Sequence, residues 1–547
     1  MTFFFFIIHK MPPKITKKSK KPDTKKEPTL KLPPVPEYEP LQPHHDEHEA
    51  AGLPAELCTS PLAVFQQLFT NDIWEAICKN TNAYYQQKSK SASGTTPRPW
   101  KDTTVGELKV WLGLILYMGI IPCPATSDYW DEDTRQKPMS AMSLCRFQQL
   151  KRYLHISPPV TTSQRPEWWE KMEPMSSIAQ ERCKQCYLPS SNVAIDEMMV
   201  KCEGRSVHTL TMPNKPIDHG YKLFAIADHG YTYGWIYNSR VSGPVNDAAA
   251  AAAIPTDRHL SPTSRTCLRL SLMLPYSKYQ FNVYFDNYFT NTALFATLRE
   301  YGIGACGTAR RHQVPKELQV DKSIANKELD WNDLFGAVKD GVLCGLWQDS
   351  SQVYVMSTIH NLQTGTTRLR RRPKETSGNA ISRAAFGDDV RKLLTIPDLI
   401  DDYNHHMNGV DIADQLRSSY NTHLKGCRNC LPLFYWLVDT LKVNSYLLLR
   451  MHYPNSSHKK FQLKLSQQLI AEGLEEHILL SAINILPPAI NNDPFPVHCL
   501  DYINRKKVLL QRCIVCKART CFHCTSCQNA FCWGKSELTC TAKYPCS

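Results

Sequence analysis

A chain of 547 residues is too long for one hydrophobic core and implies about three to four domains. With 42% hydrophobic and 21% charged residues it can bury cores over most of its length, which excludes a wholly disordered protein. The formal net charge of +13 favours a polyanionic partner, nucleic acid or anionic membrane, and no run approaches the roughly 18 consecutive apolar residues of a spanning helix.

The chain opens with MTFFFFII, Met1 to Ile8. No basic segment precedes this apolar run and no small-residue cleavage site follows it, so it reads as neither signal peptide nor anchor, and Met11 is an alternative start. Residues 10–31 carry nine lysines against Asp23 and Glu27, a net charge of +7. An acidic stretch, Glu37 to Glu49, follows. Residues 1–57 are therefore expected to be a disordered tail, basic and then acidic. Within it Lys17-Lys18-Ser19-Lys20-Lys21-Pro22 reads as a nuclear-import signal or as a solubilising tail.

Helical spacing begins near Pro61 with Val64, Phe65, Leu68 and Phe69 and continues through Trp74, Ala76 and Ile77. Thr103-Thr104 ahead of Glu107, Leu108, Leu112, Leu114 and Ile115 predicts a capped helix. The period then changes. Val193 and Ile195 predict a strand ending at Asp196, and Leu223 to Ala227 a second strand. Asp228-His229-Gly230 predicts a turn and Tyr231 to Tyr237 a return strand. Phe281, Val283 and Phe285 alternate and end at Asp286, ahead of a helix over Thr292 to Tyr301. Residues 313–397 read as a β-rich insertion, with Val353 to Met356 its clearest strand and Arg370-Arg371-Arg372-Pro373 an exposed basic loop. Helical spacing returns from Asn408 to about Tyr453. The alanine run at 248–253 is low complexity and carries no chemistry.

Asp196 and Asp286 at predicted strand ends, with Asp411 and Asp414 three apart at a helix start, fit a two-metal site. Phosphodiester cleavage needs carboxylates that hold two ions about 3.5–4 Å apart, one activating the attacking oxygen and one stabilising the leaving oxygen. Mg²⁺ prefers such hard oxygen ligands. Singly, aspartates at these places are far more often caps and turn residues than metal ligands.

The surrounding residues resemble the piggyBac transposase family over roughly residues 58–547. The first block is Ile195-Asp196-Glu197-Met198-Met199, Gly204-Arg205-Ser206, Met212-Pro213-Asn214-Lys215-Pro216 and Gly220-Tyr221-Lys222. The second is Phe285-Asp286-Asn287-Tyr288-Phe289-Thr290 with Gly307-Thr308-Ala309-Arg310. The third runs from Tyr403 to Gln415, and Asp128-Tyr129-Trp130 and Arg146-Phe147 agree upstream. The resemblance implies an α/β fold: an RNase H-like catalytic core with an insertion, a split helical DNA-binding and dimerisation domain, and a small C-terminal zinc-binding domain. It implies cut-and-paste transposition through DNA hairpins at TTAA targets by a homodimer, in the nucleus, acting on double-stranded DNA with terminal inverted repeats, with no membrane partner. Asp196, Asp286 and Asp411 carry over as the ligands of two Mg²⁺, with Asp414 as a further acid. One departure is Cys427-Arg428-Asn429-Cys430, where a family aromatic close to DNA is expected.

The implied division is 58–190 for the first helical part, 191–312 and 398–417 for the catalytic domain, 313–397 for the insertion, 418–505 for the second helical part and linker, and 506–547 for the cysteine-rich domain. In that last segment Cys513, Cys516, Cys521, Cys524, Cys527, Cys532, Cys540 and Cys546 suffice for two tetrahedral Zn²⁺. His523 competes with Cys521 as the eighth ligand. Clustered CxxC units in a long chain point to metal rather than disulfides. The pairs Cys183/Cys186 and Cys427/Cys430 read as structural, with a shared zinc as the alternative. Arg310 and Arg311, following the second block, are expected to contact the DNA backbone, and Arg205, Lys215 and Lys222 are either DNA contacts or solvated charge. Two other readings compete with an active transposase. One is a domesticated, non-catalytic DNA-binding protein; the other is a zinc-dependent protein-interaction module, which leaves the acids unexplained.

Overall fold

The computed structural model describes residues 30–91, 99–131, 137–160, 167–213, 215–244, 259–375, 380–422, 424, 426, 428–483, 500–502, 511–512, 519–520, 522–524 and 530–531. Two compact units divide at residues 476 and 477. No described helix is long and apolar enough to cross a membrane.

In the larger unit, helices α1 (Pro61–Leu68), α2 (Asn71–Ser91), α3 (Val105–Ile120), α4 (Leu144–Tyr153) and α5 (Met175–Gln185) precede the sheet. Side-chain oxygens start several of them. Ser60 Oγ accepts the Ala63 N–H at 3.1 Å ahead of Pro61, and Thr104 Oγ1 accepts the Glu107 N–H at 3.1 Å. The Thr103 hydroxyl also donates to Glu107 at 2.8 Å, and Glu107 pairs with Arg146 at 2.6 Å, so the predicted cap ties α3 to α4.

The sheet follows as β1 (Asn192–Lys201), β2 (Leu210–Thr211), β3 (His219–Asp228), β4 (Tyr231–Ser239) and β5 (Gly243–Pro244). After α6 (Pro262–Ser271) come β6 (Asn282–Phe285), α7 (Thr292–Glu300) and β7 (Gly304–Ala309). Then β8 (Leu334–Lys339), β9 (Val342–Gln348) and β10 (Gln352–Ser357) close the order β5-β4-β3-β1-β6-β7-β10-β9-β8, with β2 on β3. β1, β6 and β7 are parallel and their neighbours antiparallel. The β3–β4 turn falls where Asp228-His229-Gly230 predicts it, with positive φ at His229 (45°) and Gly230 (97°), as a two-residue hairpin requires.

Much of the stretch read as an insertion extends this same sheet, because β10 pairs with β7. A separate ribbon, β11 (Gly365–Arg371) with β12 (Arg391–Pro397), stands apart from it. Arg370 and Arg371 are strand residues of that ribbon rather than loop, because both ladder onto β12. Helices α8 (Asp398–His406), α9 (Gly409–Ser419), α10 (Leu431–His452) and α11 (His458–Ile483) complete the chain order. α10 is buried along most of its length. Its Asn444 side chain accepts the Thr232 N–H at 2.9 Å and donates to the Thr232 carbonyl at 2.8 Å, docking the helix on β4 as a strand neighbour would.

Order also begins earlier than the composition suggests. Residues 30–54 lie extended across the large unit. The Tyr38 hydroxyl donates to the Gly341 carbonyl at 2.9 Å, Leu41 N–H to Thr358 at 2.7 Å and His48 N–H to Ser191 Oγ at 2.8 Å. Prolines at 33, 34, 36, 40 and 43 pre-extend the backbone, so little entropy is lost on docking, and Leu30, Leu32, Val35 and Tyr38 supply the apolar contacts. The basic run at 17–22 and the alanine run lie outside the described residues.

The second unit contains short antiparallel strands, Leu500–Tyr502, Gln511–Arg512, Arg519–Thr520, Phe522–Cys524 and Ala530–Phe531.

Gly409, at the start of α9, is fixed by close approach. A Cβ there would lie 2.6 Å from the Ala227 carbonyl oxygen and 3.4 Å from Ala194 Cβ. The first contact is backbone, which cannot rotate away. Gly409→Ala should therefore lift the helix start and destabilise the large unit by about 1–3 kcal/mol in urea unfolding. An unchanged unfolding midpoint would show that α9 is not seated on β1 and β3 as described.

Candidate active site

β1 and β6 pair from Asn192 opposite Asn282 to Ile195 opposite Phe285. The next residue on each strand is an aspartate, Asp196 and Asp286, so two carboxylates leave neighbouring parallel strands at one level. β6 stops there. β1 does not end at Asp196 as the sequence predicts but continues to Lys201, because its other edge stays hydrogen-bonded to β3 as far as Gly220. Asp196 thus sits mid-strand at the point where its parallel partner stops. Ala194 is on the same face of β1 as Asp196, and α9 rests against it at Gly409. That contact seats the first turn of α9 on β1, while Asp411 itself is exposed and walls a cleft together with Glu197 and Lys215.

The acids differ in solvation: Asp196 is buried, Asp286 and Asp414 are half-buried and Asp411 is exposed. Asp196 is 9% exposed. Burial pushes its carboxyl up to about 7, with the charges of Glu197 and Asp286 adding to the rise. The Glu197 N–H, donating at 2.7 Å, and Lys215 pull it the other way. Burial also raises Asp286 against the Tyr288 N–H, which donates at 2.8 Å. Asp414 is raised by burial too, opposed by its ion pair with Arg417 one turn along α9. Lys215 acts on Asp196, Asp286 and Asp414 alike. Burial lowers its own pKa, but Glu197, Asp196 and Asp411 outweigh burial and hold it above the usual lysine range. One lysine is therefore the shared counter-ion of the cluster.

Glu197 is the residue that the sequence reading passed over. It lies 3.3 Å from Lys215 and 3.5 Å from Lys222, and its side chain is only 8% exposed. Its Oε2 accepts no hydrogen bond, since the Lys222 ammonium is within ion-pair range but outside hydrogen-bond geometry. The sequence carries no signal for it, because the pairing arises from the register, in which Glu197 opposes Phe224, two residues from Lys222 on the same face. Tyr403 was also missed; its hydroxyl meets Thr308 at 3.2 Å, and Asp286 and Asp196 are among the charges that help burial push it up to about 12.

The basic residues fall into two groups. Lys222 is buried between the Phe224 and Tyr288 rings, 4.9 and 4.6 Å from their centres, and committed to Glu197. Lys215 is half exposed at the cluster, and Arg205, Arg310 and Arg311 are exposed. Arg310 donates to Asn287 at 3.3 Å, just after Asp286, while Arg311 pairs with Asp321 at 3.3 Å.

A cleft of about 700 Å³ is walled by Glu197, Lys215, Asp411, Asp414 and Arg417, but not by Asp196 or Asp286. Among the described residues no three His, Cys, Asp or Glu side chains converge as a ready-made metal cluster. Cys513, Cys516, Cys521, Cys527, Cys532, Cys540 and Cys546 lie outside the described residues, and Cys524 and His523 are described only as backbone of a short strand. Cys183 is buried and its sulfur accepts from Asn444 at 3.2 Å, a packing role; Cys427 is outside the described residues.

Comparison with known proteins agrees with this architecture. The family model described as Transposase IS4 matches residues 60–446. The human PiggyBac transposable element-derived protein 3 is 23% identical over 511 residues, covering 89% of this chain and 76% of that protein. The human Chimeric ERCC6-PGBD3 protein is 23% identical over the same share of this chain, which spans 42% of its length. The solved piggyBac transposase synaptic complex with hairpin DNA superposes with a TM-score of 0.61 at 20% identity, over 86% of this chain and 97% of that one, a likeness of fold. The family match extends from α1 through all four acids, and the chain belongs to the Transposase IS4 family, among its piggyBac-type members.

Proposed function

We propose that this chain is a DNA transposase that cleaves and rejoins DNA strands with Mg²⁺, in cut-and-paste fashion at TTAA targets. The observation that carries the reading is the pair of carboxylates, buried Asp196 and half-buried Asp286, leaving neighbouring parallel strands at one level, with α9 seated on β1 beside Asp196. The antiparallel-antiparallel-parallel order β4-β3-β1-β6 supports an RNase H-like core.

The donor set fits a hard divalent cation. It consists of carboxylate oxygens alone, and burial and mutual repulsion raise the proton affinity of Asp196 and Asp286 in the absence of a cation. Asp196, Asp286 and Asp411 would hold two Mg²⁺. Bound there, the ions would activate the attacking oxygen and offset charge on the leaving one. The chain's own residues do the rest. Lys215, half exposed beside three acids, holds a phosphate oxygen near them and keeps the carboxylates from repelling the backbone. Lys222 and Glu197 fix each other, and Lys222 thereby steadies β1 next to Asp196. Arg417 anchors Asp414, which makes Asp414 a positioning residue. Arg310, Arg311 and Arg205 offer exposed guanidinium groups for backbone phosphates.

The reading extends to a homodimer that cuts paired transposon ends in the nucleus, and to a C-terminal domain holding two Zn²⁺ on Cys513, Cys516, Cys521 or His523, Cys524, Cys527, Cys532, Cys540 and Cys546. A second reading, a non-catalytic DNA-binding protein, is favoured by the name of the human relative, which is transposable element-derived. Excision from a plasmid carrying matched ends separates the two.

Asp196→Asn, Asp286→Asn and Asp411→Asn should each abolish Mg²⁺-dependent cleavage and leave duplex binding intact in gel shifts; near-normal cleavage by any one removes it from the site. Asp414→Asn should retain part of the activity.

The same substitutions separate functional from structural acids by stability. The Asp196 carboxyl rises from 3.8 to about 7 on folding, so the folded state holds its proton more tightly than the unfolded chain does. Its ionisation therefore leaves stability untouched below the unfolded value and erodes it as the pH climbs toward the folded one. Metal-free Asp196→Asn should melt higher than the parent at pH 8, by on the order of 3 kcal/mol, and equally at pH 3.5. A lower melting point at pH 8 would mark Asp196 as a structural acid.

Full-length protein should carry about two equivalents of zinc by elemental analysis, and Cys513→Ser/Cys516→Ser should lose zinc together with preference for its own transposon ends over random DNA. Zinc-free protein with unchanged end preference would show that the cysteines serve another purpose.

A further inference from the structure

Beyond the acids, the most unusual surface is the β11–β12 ribbon. Its two faces differ. On the inner face Leu394 and Ile396 are buried, Arg368 clasps Asp401 of α8 through two bonds at 2.7 and 2.6 Å, and Arg370 clasps Asp349 at 3.2 and 3.0 Å. Thr366 hydrogen-bonds Asp398 at the start of α8. The outer face presents directly opposed pairs in sequence: Thr367 with Thr395, Leu369 with Leu393, and Arg371 with Arg391. Leu369 is 61% and Leu393 64% exposed, among the highest values for large apolar side chains in the described residues. Arg371 and Arg391 make no ion pair among the described residues, and no acidic residue stands on this face.

Single exposed leucines are ordinary. Two in direct cross-strand register, on a ribbon held from behind by two Arg–Asp pairs, are an aggregation hazard unless something covers them. The charge beside them selects the occupant. A pair of free guanidinium groups at one end and a pair of hydroxyls at the other suit phosphate backbones on either side of an apolar centre. Two-stranded ribbons enter DNA grooves, and apolar side chains inserted between base steps unstack and kink the duplex.

We propose that the Leu369–Leu393 pair is a wedge that kinks duplex DNA, with Arg371 and Arg391 gripping the flanking phosphates. This rests on the transposase reading above. The ribbon is tied to the acids through α8, whose Asp401 holds Arg368 and whose Tyr403 reaches Thr308 beside the carboxylates. A kink made at the ribbon is thus held at a fixed offset from the cleavage site. The cost of bending falls on the DNA sequence being deformed, which gives selectivity for soft pyrimidine–purine steps without base-edge hydrogen bonds.

The test uses full-length protein and end-labelled duplex DNA in the absence of divalent metal, reading bend by energy transfer between the ends. Wild type should shorten the end-to-end distance. Leu369→Ser/Leu393→Ser should lose the bend and bind within about threefold of wild type, since the phosphate contacts remain. Arg371→Ala/Arg391→Ala should weaken binding and lower the salt slope by about 2, one counter-ion for each lost contact. The leucines are exposed, so folding is not at risk, and circular dichroism checks it. Serine variants that bend DNA as wild type does would overturn the wedge. So would serine variants that keep the bend while losing self-association, which would make the pair a contact between two copies. Wild type that bends DNA but never cleaves it removes the transposase reading and leaves the wedge; wild type that cleaves while the serine pair bends normally does the reverse.

Discussion

Carboxylates crowded around one lysine set the terms for this molecule. Burial raises the proton affinity of Asp196, Asp286 and Asp414, and Lys215 is a cation that acts on all three in the other direction. Such a cluster is costly in isolation, because charges removed from water need partners. It persists because strands on both sides of β1 and a helix seated on its face fix the acids from three directions. The parallel ladder with β6 sets the level of Asp196 against Asp286, the antiparallel ladder with β3 carries β1 past that point, and Gly409 lets α9 touch the sheet.

The surrounding scaffold serves that arrangement. α10 docks on β4 through the Asn444 amide and the Trp436 ring, which meets Trp235 edge-on, and buries a Lys442–Asp439 pair at 2.7 Å within itself. Extension of the sheet through β10, β9 and β8 gives the ribbon a rigid neighbour, since Arg370 reaches Asp349 just after β9. The N-terminal arm crosses the large unit and ties β1, β9 and β10 together through His48, Tyr38 and Leu41. The cations on the surface of this unit include Lys215, Arg205, Arg310, Arg371 and Arg391, whereas Arg370 is turned inward to Asp349.

Local elements and the acidic blocks that carry the family resemblance are legible in the order of the amino acids. The Asp228-His229-Gly230 turn, the Thr104 cap and the alternation ending at Asp286 are short-range effects, governed by turn chemistry, side-chain capping and period, and each is found where its residues place it. The acidic blocks were legible because three ordered motifs coincide, and family membership follows the same residues. The remainder depends on packing between elements far apart in the chain. The end of β1 depends on which neighbour stops first, a property of two ladders at once. The ordering of residues 30–54 depends on sockets built by distant strands, so composition understated it. Glu197 is ordinary in sequence and becomes part of the cluster only when β3 sets Lys222 diagonally across from it. Arg370 and Arg371 read as a loop because charge masks strand period; pairing with β12 turns one inward to Asp349 and the other outward with Leu369. Which side of a ribbon is buried is fixed by what packs behind it, and no local pattern encodes that.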